Sequence, residues 1–461
     1  MRSQSSDPLL GAKIQTEWTS TLVISVSIAC ITSVLYGYHM AELNAPSEYI
    51  KSSLSLSDSQ LGFATAIFSI GGLFASTAAS SVSQSKGLTW SFSATCALYA
   101  LGSFIEACAP SFIVIVIGRF ISGLAGGFAI VFVPLYVNAV SPISLRGLLG
   151  SMTQVSVNLG ILITQLVALV FDGDRWRIII HFGWIIALIG LIGVYYMEES
   201  PKWLFQKGDE LEAGRALKKF RTGETVFEEI NSWIEEKKLH DQLLERKPHL
   251  KNLGFKEYLQ DDSYSNSRKI ATFSMLGQQF AGINSVIFYG VPLLAGLFPN
   301  ISVLLNCMLS TLNMCLTLIS SLLIDKLGRK PLLITSLSIM CLSCILLTVG
   351  TLAHSSSITL TAAISYISSF AIGCGPIPFL LISEVSQTEV KHIAQSWATD
   401  CNWASVFIIG ALFPVVNDYF TGWIWLFFAF TCATFASWVY YFIPESMGKH
   451  GYNDVWGIRG D

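Results

Sequence analysis

The sequence predicts an all-α membrane protein of twelve transmembrane helices arranged as two pseudo-symmetric six-helix halves, and three observations predict it. Of 461 residues, 52% are hydrophobic and only 13% charged, a balance foreign to a water-soluble domain of this length. Apolar stretches of about 18 residues or more recur along the whole chain, each long enough to cross the roughly 30 Å hydrocarbon core as a helix. A single long polar interval, 198–268, interrupts them and leaves six on either side.

Taken in order, the polar residues 1–17 precede a full-length span and are expected to form a cytoplasmic tail with no cleaved signal peptide. Residues 18–197 then hold six spans, centred near 30, 70, 98, 122, 160 and 187. In the fifth, Gln154, Asn158 and Gln165 share a face, because eleven residues complete almost three turns. The interval 198–268 is rich in Glu, Lys and Leu at helical spacing and is expected to fold as short amphipathic helices. Residues 269–443 supply six more spans, centred near 281, 313, 342, 371, 404 and 431, and 444–461 form a second cytoplasmic tail.

The seventh span carries "GQQFAGINSVIFYG", with four hydrogen-bonding side chains at membrane depth, and Gly282 there is expected to let the helix bend or unwind. In the eighth, Asn306, Ser310, Asn313, Thr317 and Ser321 form one polar stripe, and in the eleventh Gln395, Thr399 and Asn402 form another. Unpaired amides in hydrocarbon cost several kcal/mol, so these stripes must meet partners or water inside the bundle. Their convergence predicts a wet central cavity, with interhelical hydrogen bonding as the alternative. The tenth span contains "GCGPIPF", where Pro376 and Pro378 each remove a backbone donor and predict a discontinuous, gate-like helix.

Charge orients the bundle. With the N-terminus cytoplasmic, 24 of the 28 Lys and Arg residues fall on the cytoplasmic side, the positive-inside pattern. The ten cysteines lie in or beside apolar segments, so the Cys341–Cys344 spacing reads as membrane packing rather than a metal or redox site. No nucleophile–base pair and no metal-ligand cluster emerges, which excludes an enzyme and calls for no cofactor.

The segments "GYHMAELNAP", "GRFISGLAGG", "PLYVNAVSPISLRG", "ESPKWL", "GQQFAGINSVIFYG", "DKLGRKP", "GPIPF", "NWASVF" and "PESMGK" together resemble the sugar porter family of the major facilitator superfamily across essentially the whole chain. The resemblance implies the major facilitator fold and a hexose held by Gln154, Gln278, Gln279, Asn284, Tyr289, Asn313 and Asn402. Amides suit that task because they donate and accept on one side chain, as sugar hydroxyls do. Phe379 stands where the family usually has a tryptophan, and Ala371 where glucose facilitators often have a carboxylate.

The resemblance also implies a cytoplasmic charge latch. Its C-terminal part is present as Asp325, Arg329, Glu384 and Lys391, whereas in the N-terminal half the loop reads "SQSKGL" and Ala139 replaces a carboxylate, leaving Lys86 and Arg146. His39 occupies a position where proton-coupled members place an aspartate. Histidine titrates near neutral pH, so the position suggests either a proton-linked role or a neutral residue lining the cavity, with Glu42 a turn later as its partner or reaching the outer interface. Arg119 is expected to order helices rather than bind sugar.

These readings converge on a monomeric, bilayer-embedded transporter of hexoses or related polyols that works by alternating access, facilitative unless His39 couples protons, and that binds no nucleic acid. A transport-deficient relative acting as a sugar sensor or in vacuolar trafficking is the alternative. The resemblance to fungal vacuole-associated members places it in the vacuolar membrane first and the plasma membrane second. The sequon at Asn300 lies in a short loop and is expected to stay unglycosylated.

Overall fold

The computed structural model describes residues 18–171, 173–221, 225–246, 254–449 and 452–457. The predicted tail 1–17 therefore lies outside it, as do residues 450–451 and 458–461 of the predicted tail 444–461 and the side chains of Ser321 and Asp325. Among the described residues, eleven helices are long and apolar enough to cross a membrane. The first half comprises α1 (Ser20–Ala41), a short peripheral α2 (Ser47–Leu54), α3 (Asp58–Lys86), α4 (Leu88–Ala107), α5 (Phe112–Val140), α6 (Arg146–Val170) and α7 (Trp176–Val194). Small residues let these helices approach closely. Any side chain at Gly123 of α5 would collide with the Phe68 carbonyl of α3.

Between the halves lie α8 (Pro201–Gln206), α9 (Glu210–Phe220), α10 (Thr225–Arg246) and α11 (Phe255–Gln260). The first three share a small apolar core that includes Phe205, Leu217 and Trp233. Arg221 ties this layer to the bundle by donating to the Val140 carbonyl at the end of α5, 2.7 Å away. We call the face carrying these helices the linker side and the opposite face the far side.

The seventh span is the one that fails the length test, because it is broken into α12 (Ser265–Phe280) and α13 (Ile283–Ala295) at Gly282, whose φ is +98°. The expected bending or unwinding at Gly282 is thus a complete interruption. The second half continues with α14 (Ser302–Leu327), α15 (Arg329–Leu352), α16 (Ser356–Ser369), a π-helical turn Phe370–Cys374, α17 (Ile377–Val385), α18 (Lys391–Phe420) and α19 (Ile424–Phe442), followed by a short α20 (Tyr452–Trp456). The tenth span is therefore discontinuous at the predicted Gly-Pro segment.

Carbonyls released by the two breaks are taken up by side chains from neighbouring spans, as a low-dielectric interior demands. At the seventh, Thr431 donates to Phe280 O at 2.6 Å and Tyr366 to Ala281 O at 2.8 Å. At the tenth, Ser336 donates to Ser369 O and Ser320 to Ile372 O, each at 2.6 Å.

On the linker side, one cap is built twice. After α7, the Glu199 carboxylate accepts from the backbone N–H groups of Leu88 and Thr89 at 3.0 and 3.1 Å. After α19, Glu445 accepts in the same way from Arg329 and Lys330 at 3.1 and 3.0 Å. Both carboxylates face a helix N-terminus, where the exposed N–H groups and the dipole favour an anion. The preceding residues, Gly87 and Gly328, have φ of +88° and +89°, which glycine adopts without strain. A methyl group at either would also run into the capping carboxylate.

Candidate transport site

The amides of the seventh and eleventh spans meet at the junction of the two breaks. Gln278 donates to Cys374 O at 2.9 Å and Gly375 O at 2.8 Å, so it caps the broken tenth span. Its own oxygen accepts from Gln279 at 3.2 Å and Asn402 at 3.3 Å. Asn284 donates in turn to Gln279. The result is a hydrogen-bonded chain Asn402, Gln278, Gln279, Asn284, spanning α18, α12 and α13.

All four side chains are buried. Gln278 uses both donors and both acceptor positions of its amide, leaving none for a ligand. Gln279, Asn284 and Asn402 are the members able to exchange partners.

The polar stripes of α6 and α14 meet beside this chain. Gln165, Asn306, Ser310 and Asn313 line a cavity of about 20 Å³, and one turn away Asn158 donates to Thr317 across the two halves at 3.0 Å. That volume holds about one water. The expected wet cavity is thus closed down in this conformation, and both alternatives for the stripes occur together. Gln165 has neither amide atom partnered. It projects to the centre, whereas Gln154, eleven residues earlier on the same face, is exposed.

Toward the far side lies a larger cavity of about 470 Å³. Val286, Leu309 and Ile367, with Asn306, line both spaces and form a thin apolar partition between them. Tyr289 belongs to the outer space. Its hydroxyl donates to Gly410 O at 2.7 Å and its ring stacks on Phe413 at 5.6 Å, so it stands apart from the amide chain. Phe379 lines neither cavity and packs, half-buried, against the apolar cluster of Met275 and Ile382. On the far side, Asn44 clamps the halves together, donating to Ile287 O at 2.7 Å and accepting from Val291 N at 2.9 Å.

The latch residues differ between the two halves. Arg329 pairs with Glu384 at 3.0 Å, and Ser446 adds a bond to the same carboxylate at 2.5 Å. In the first half the corresponding cap is flanked by Leu88, buried in an apolar cluster with Tyr136 and Val140. Arg146 is exposed at the start of α6.

His39 corrects one expectation. It lines neither cavity; it is fully buried, with Nδ1 2.8 Å from Glu42 Oε1 and its ring stacked on Tyr99 at 5.0 Å. Glu42 turns inward to it rather than reaching the outer interface. Arg119 orders helices as expected, donating to His39 O on α1 at 2.7 Å and to Ala64 O on α3 at 3.4 Å. Two carboxylates went unread in the sequence. Glu106 on α4 joins the His39 cluster, and Asp400 on α18 accepts from Thr77 on α3 at 3.3 Å across the seam between halves. A lone carboxylate in an apolar span was the available signal for each.

The profile of the family described as "Sugar (and other) transporter" matches residues 25–453. A probable metabolite transport protein of Saccharomyces cerevisiae is 37% identical over 95% of this chain and 95% of its own length. A vacuolar protein sorting-associated protein of the same yeast is 32% identical, over 93% of this chain and 94% of its own length. Among solved structures, the inward-open xylose transporter XylE of E. coli superposes with a TM-score of 0.80 at 21% identity, covering 95% of this chain and all of XylE.

Proposed function

This chain belongs to the sugar transporter family, and from that premise we propose that it carries a hexose or related polyol across a membrane by alternating access, without a coupled ion. It is a multi-pass integral membrane protein with the fold of the major facilitator superfamily, whose members here are transporters and not enzymes.

The observation that carries the sugar reading is the amide chain at the two helix breaks. Amide–amide hydrogen bonds can be traded for amide–hydroxyl bonds with little net change in free energy, so a polyol is the ligand class that opens the 20 Å³ space at low cost. Gln279, Asn284 and Asn402, joined by Asn313 and Gln165 on the cavity wall, would hold it. Gln278 is the scaffold. Gln154, Tyr289 and Phe379 would act on the route in and out rather than at the centre.

The closed Asn44 clamp, with Gln154 exposed, supports a resting state that faces the linker side. The charge asymmetry favours that side as cytoplasmic, with tails 1–17 and 444–461, bundles 18–197 and 269–443, and the linker 198–268 as proposed units. The yeast sorting-associated relative favours the vacuolar membrane.

Uptake of labelled hexoses into vesicles containing the purified protein, at matched and mismatched pH, tests the proposal. Saturable uptake independent of the pH gradient is expected. Absence of uptake for every hexose and polyol would leave the second reading, a sugar sensor, which the loss of the Leu88 and Ala139 charges favours.

A further inference from the structure

The side chains of His39, Glu42, Glu106 and Arg119 form a closed polar island inside the first half. All four are fully buried and none lines either cavity. Glu42 Oε1 accepts from Arg119 Nη1 at 2.6 Å and lies 2.8 Å from His39 Nδ1. The other ring nitrogen of His39 lies 3.2 Å from Ser103 Oγ. Glu106 Oε1 accepts from Ser122 Oγ at 2.6 Å.

Two atoms remain. Oε2 of Glu42 and Oε2 of Glu106 are both buried without a hydrogen-bond partner, the latter 4.0 Å from Arg119 Nη1. Yet one oxygen of each carboxyl lies within 4.8 Å of the other and of a His39 nitrogen. Two carboxyl groups this close, each with a buried oxygen that no hydrogen-bond donor reaches, form an arrangement that burial should not tolerate.

The balance of charge points the same way. Arg119 contributes one positive charge, and among the described residues no other lysine or arginine is buried in the spans. What faces the island from elsewhere is neutral. From α3 come the Ala64 and Thr65 carbonyls and the Phe68 ring, 4.7 Å from the guanidinium. From α4 come Tyr99 and Ser103, from α5 Ser122, and from α7 the Ile179 carbonyl that takes the hydroxyl of the neighbouring Tyr38. With His39 neutral, two ionised carboxylates beside one guanidinium would leave a net negative charge sealed at membrane depth, which is costly, and like charges this close do not both ionise.

We propose that Glu106 carries a resident proton on Oε2 and donates it to Oε2 of Glu42, making the island a neutral acid–carboxylate–guanidinium unit that keeps its proton throughout the transport cycle. The two orphaned carboxyl oxygens are then partnered with each other. His39 is neutral, with Nδ1–H donating to Glu42 and Nε2 accepting from Ser103. The site is thus a proton site that is occupied and not exchanged. This deepens the proposed uncoupled transport and rests on that reading only for its transport arm.

Three arms test it in the purified full-length protein. In infrared difference spectra, a buried protonated-carboxyl band should be present at neutral pH, absent from Glu106→Gln, and unmoved by external pH or added hexose. In thermal melts, Glu106→Gln, which mimics the neutral acid, should melt close to wild type. Glu42→Gln, which strips Arg119 of its counter-charge, should melt far lower. In vesicles, hexose uptake should move no protons in wild type or Glu106→Gln.

A wild-type spectrum without the band, equal destabilisation by the two substitutions, or proton movement with sugar that Glu106→Gln abolishes would each overturn the resident proton. So would a melt raised by Mg²⁺, Mn²⁺ or Zn²⁺ in wild type but not in Glu106→Gln, since the cluster would then be a metal site. Failure of wild type to take up any sugar would sink the transport reading alone, leaving the infrared and thermal arms to decide the proton.

Discussion

Removing the amide of Gln279 or Asn284 deletes a hydrogen-bonding group that can turn to a ligand, whereas removing that of Gln278 orphans two carbonyls of the broken tenth span. Gln279→Ala and Asn284→Ala are therefore expected to weaken hexose binding by about 1–3 kcal/mol, roughly 5- to 150-fold in Kd, with little change in thermal melting. Gln278→Ala should instead lower the melting temperature, through about 1–3 kcal/mol for each carbonyl left unpaired. Titration calorimetry alongside melting curves separates the two, and equal effects on both quantities in all three variants would erase the distinction between scaffold and ligand-binding amides. The amides were legible in the sequence because polar side chains in an apolar window have few reasons to be there. Their division of labour was not, since it depends on where the tenth span breaks. Helical periodicity likewise put Gln154 and Gln165 on one face but could not say which turn reaches the centre. Glu106 was silent for a related reason, as its partners come from α1 and α5 and leave no periodic trace on α4.

Among the elements, the repeated linker-side cap shows the same backbone solution carrying different side chains. Arg329 and Glu384 pair beside one copy, and Leu88 and Ala139 occupy the matching sequence positions beside the other. Restoring the pair with Leu88→Arg and Ala139→Glu should draw the linker ends of the halves together. A cysteine placed at the exposed Gln154 position is expected to lose reactivity toward a reagent added on the linker side, and hexose flux should change with it. Unaltered labelling and flux would show that the missing charges are compensated elsewhere. The sequence located both helix breaks, because Gly282 and the two prolines act through the backbone and need no tertiary context. The depth of the seventh-span break was not readable, for it requires Thr431 and Tyr366 to receive the released carbonyls, and those residues are more than 80 positions away in the chain.

At the scale of the whole molecule, twelve spans in two halves followed from hydropathy alone, while the conformational state did not, because it rests on contacts between halves such as the Asn44 clamp. Asn44→Ala should loosen the far side. A cysteine at Ser310, on the small central cavity, is expected to become reactive from the far side only in that background, and indifference would move the outer closure to other residues. Tags at residue 240 and at both termini should share one side of the membrane, and protease access to any of them from the opposite side would invert the proposed orientation. The duplicated caps have a further consequence for what mutation can do to this protein. Glu199 binds the last span of its half to the third, and Glu445 repeats the tie in the other half, through main-chain N–H groups that every residue but proline carries. Such a fastening is indifferent to the side chains it holds. Leu88 and Ala139 carry no charge beside the first cap, and that half keeps the same fastening as the second. A copy that no longer carries cargo would still be a well-formed membrane protein, open to being kept for a different task.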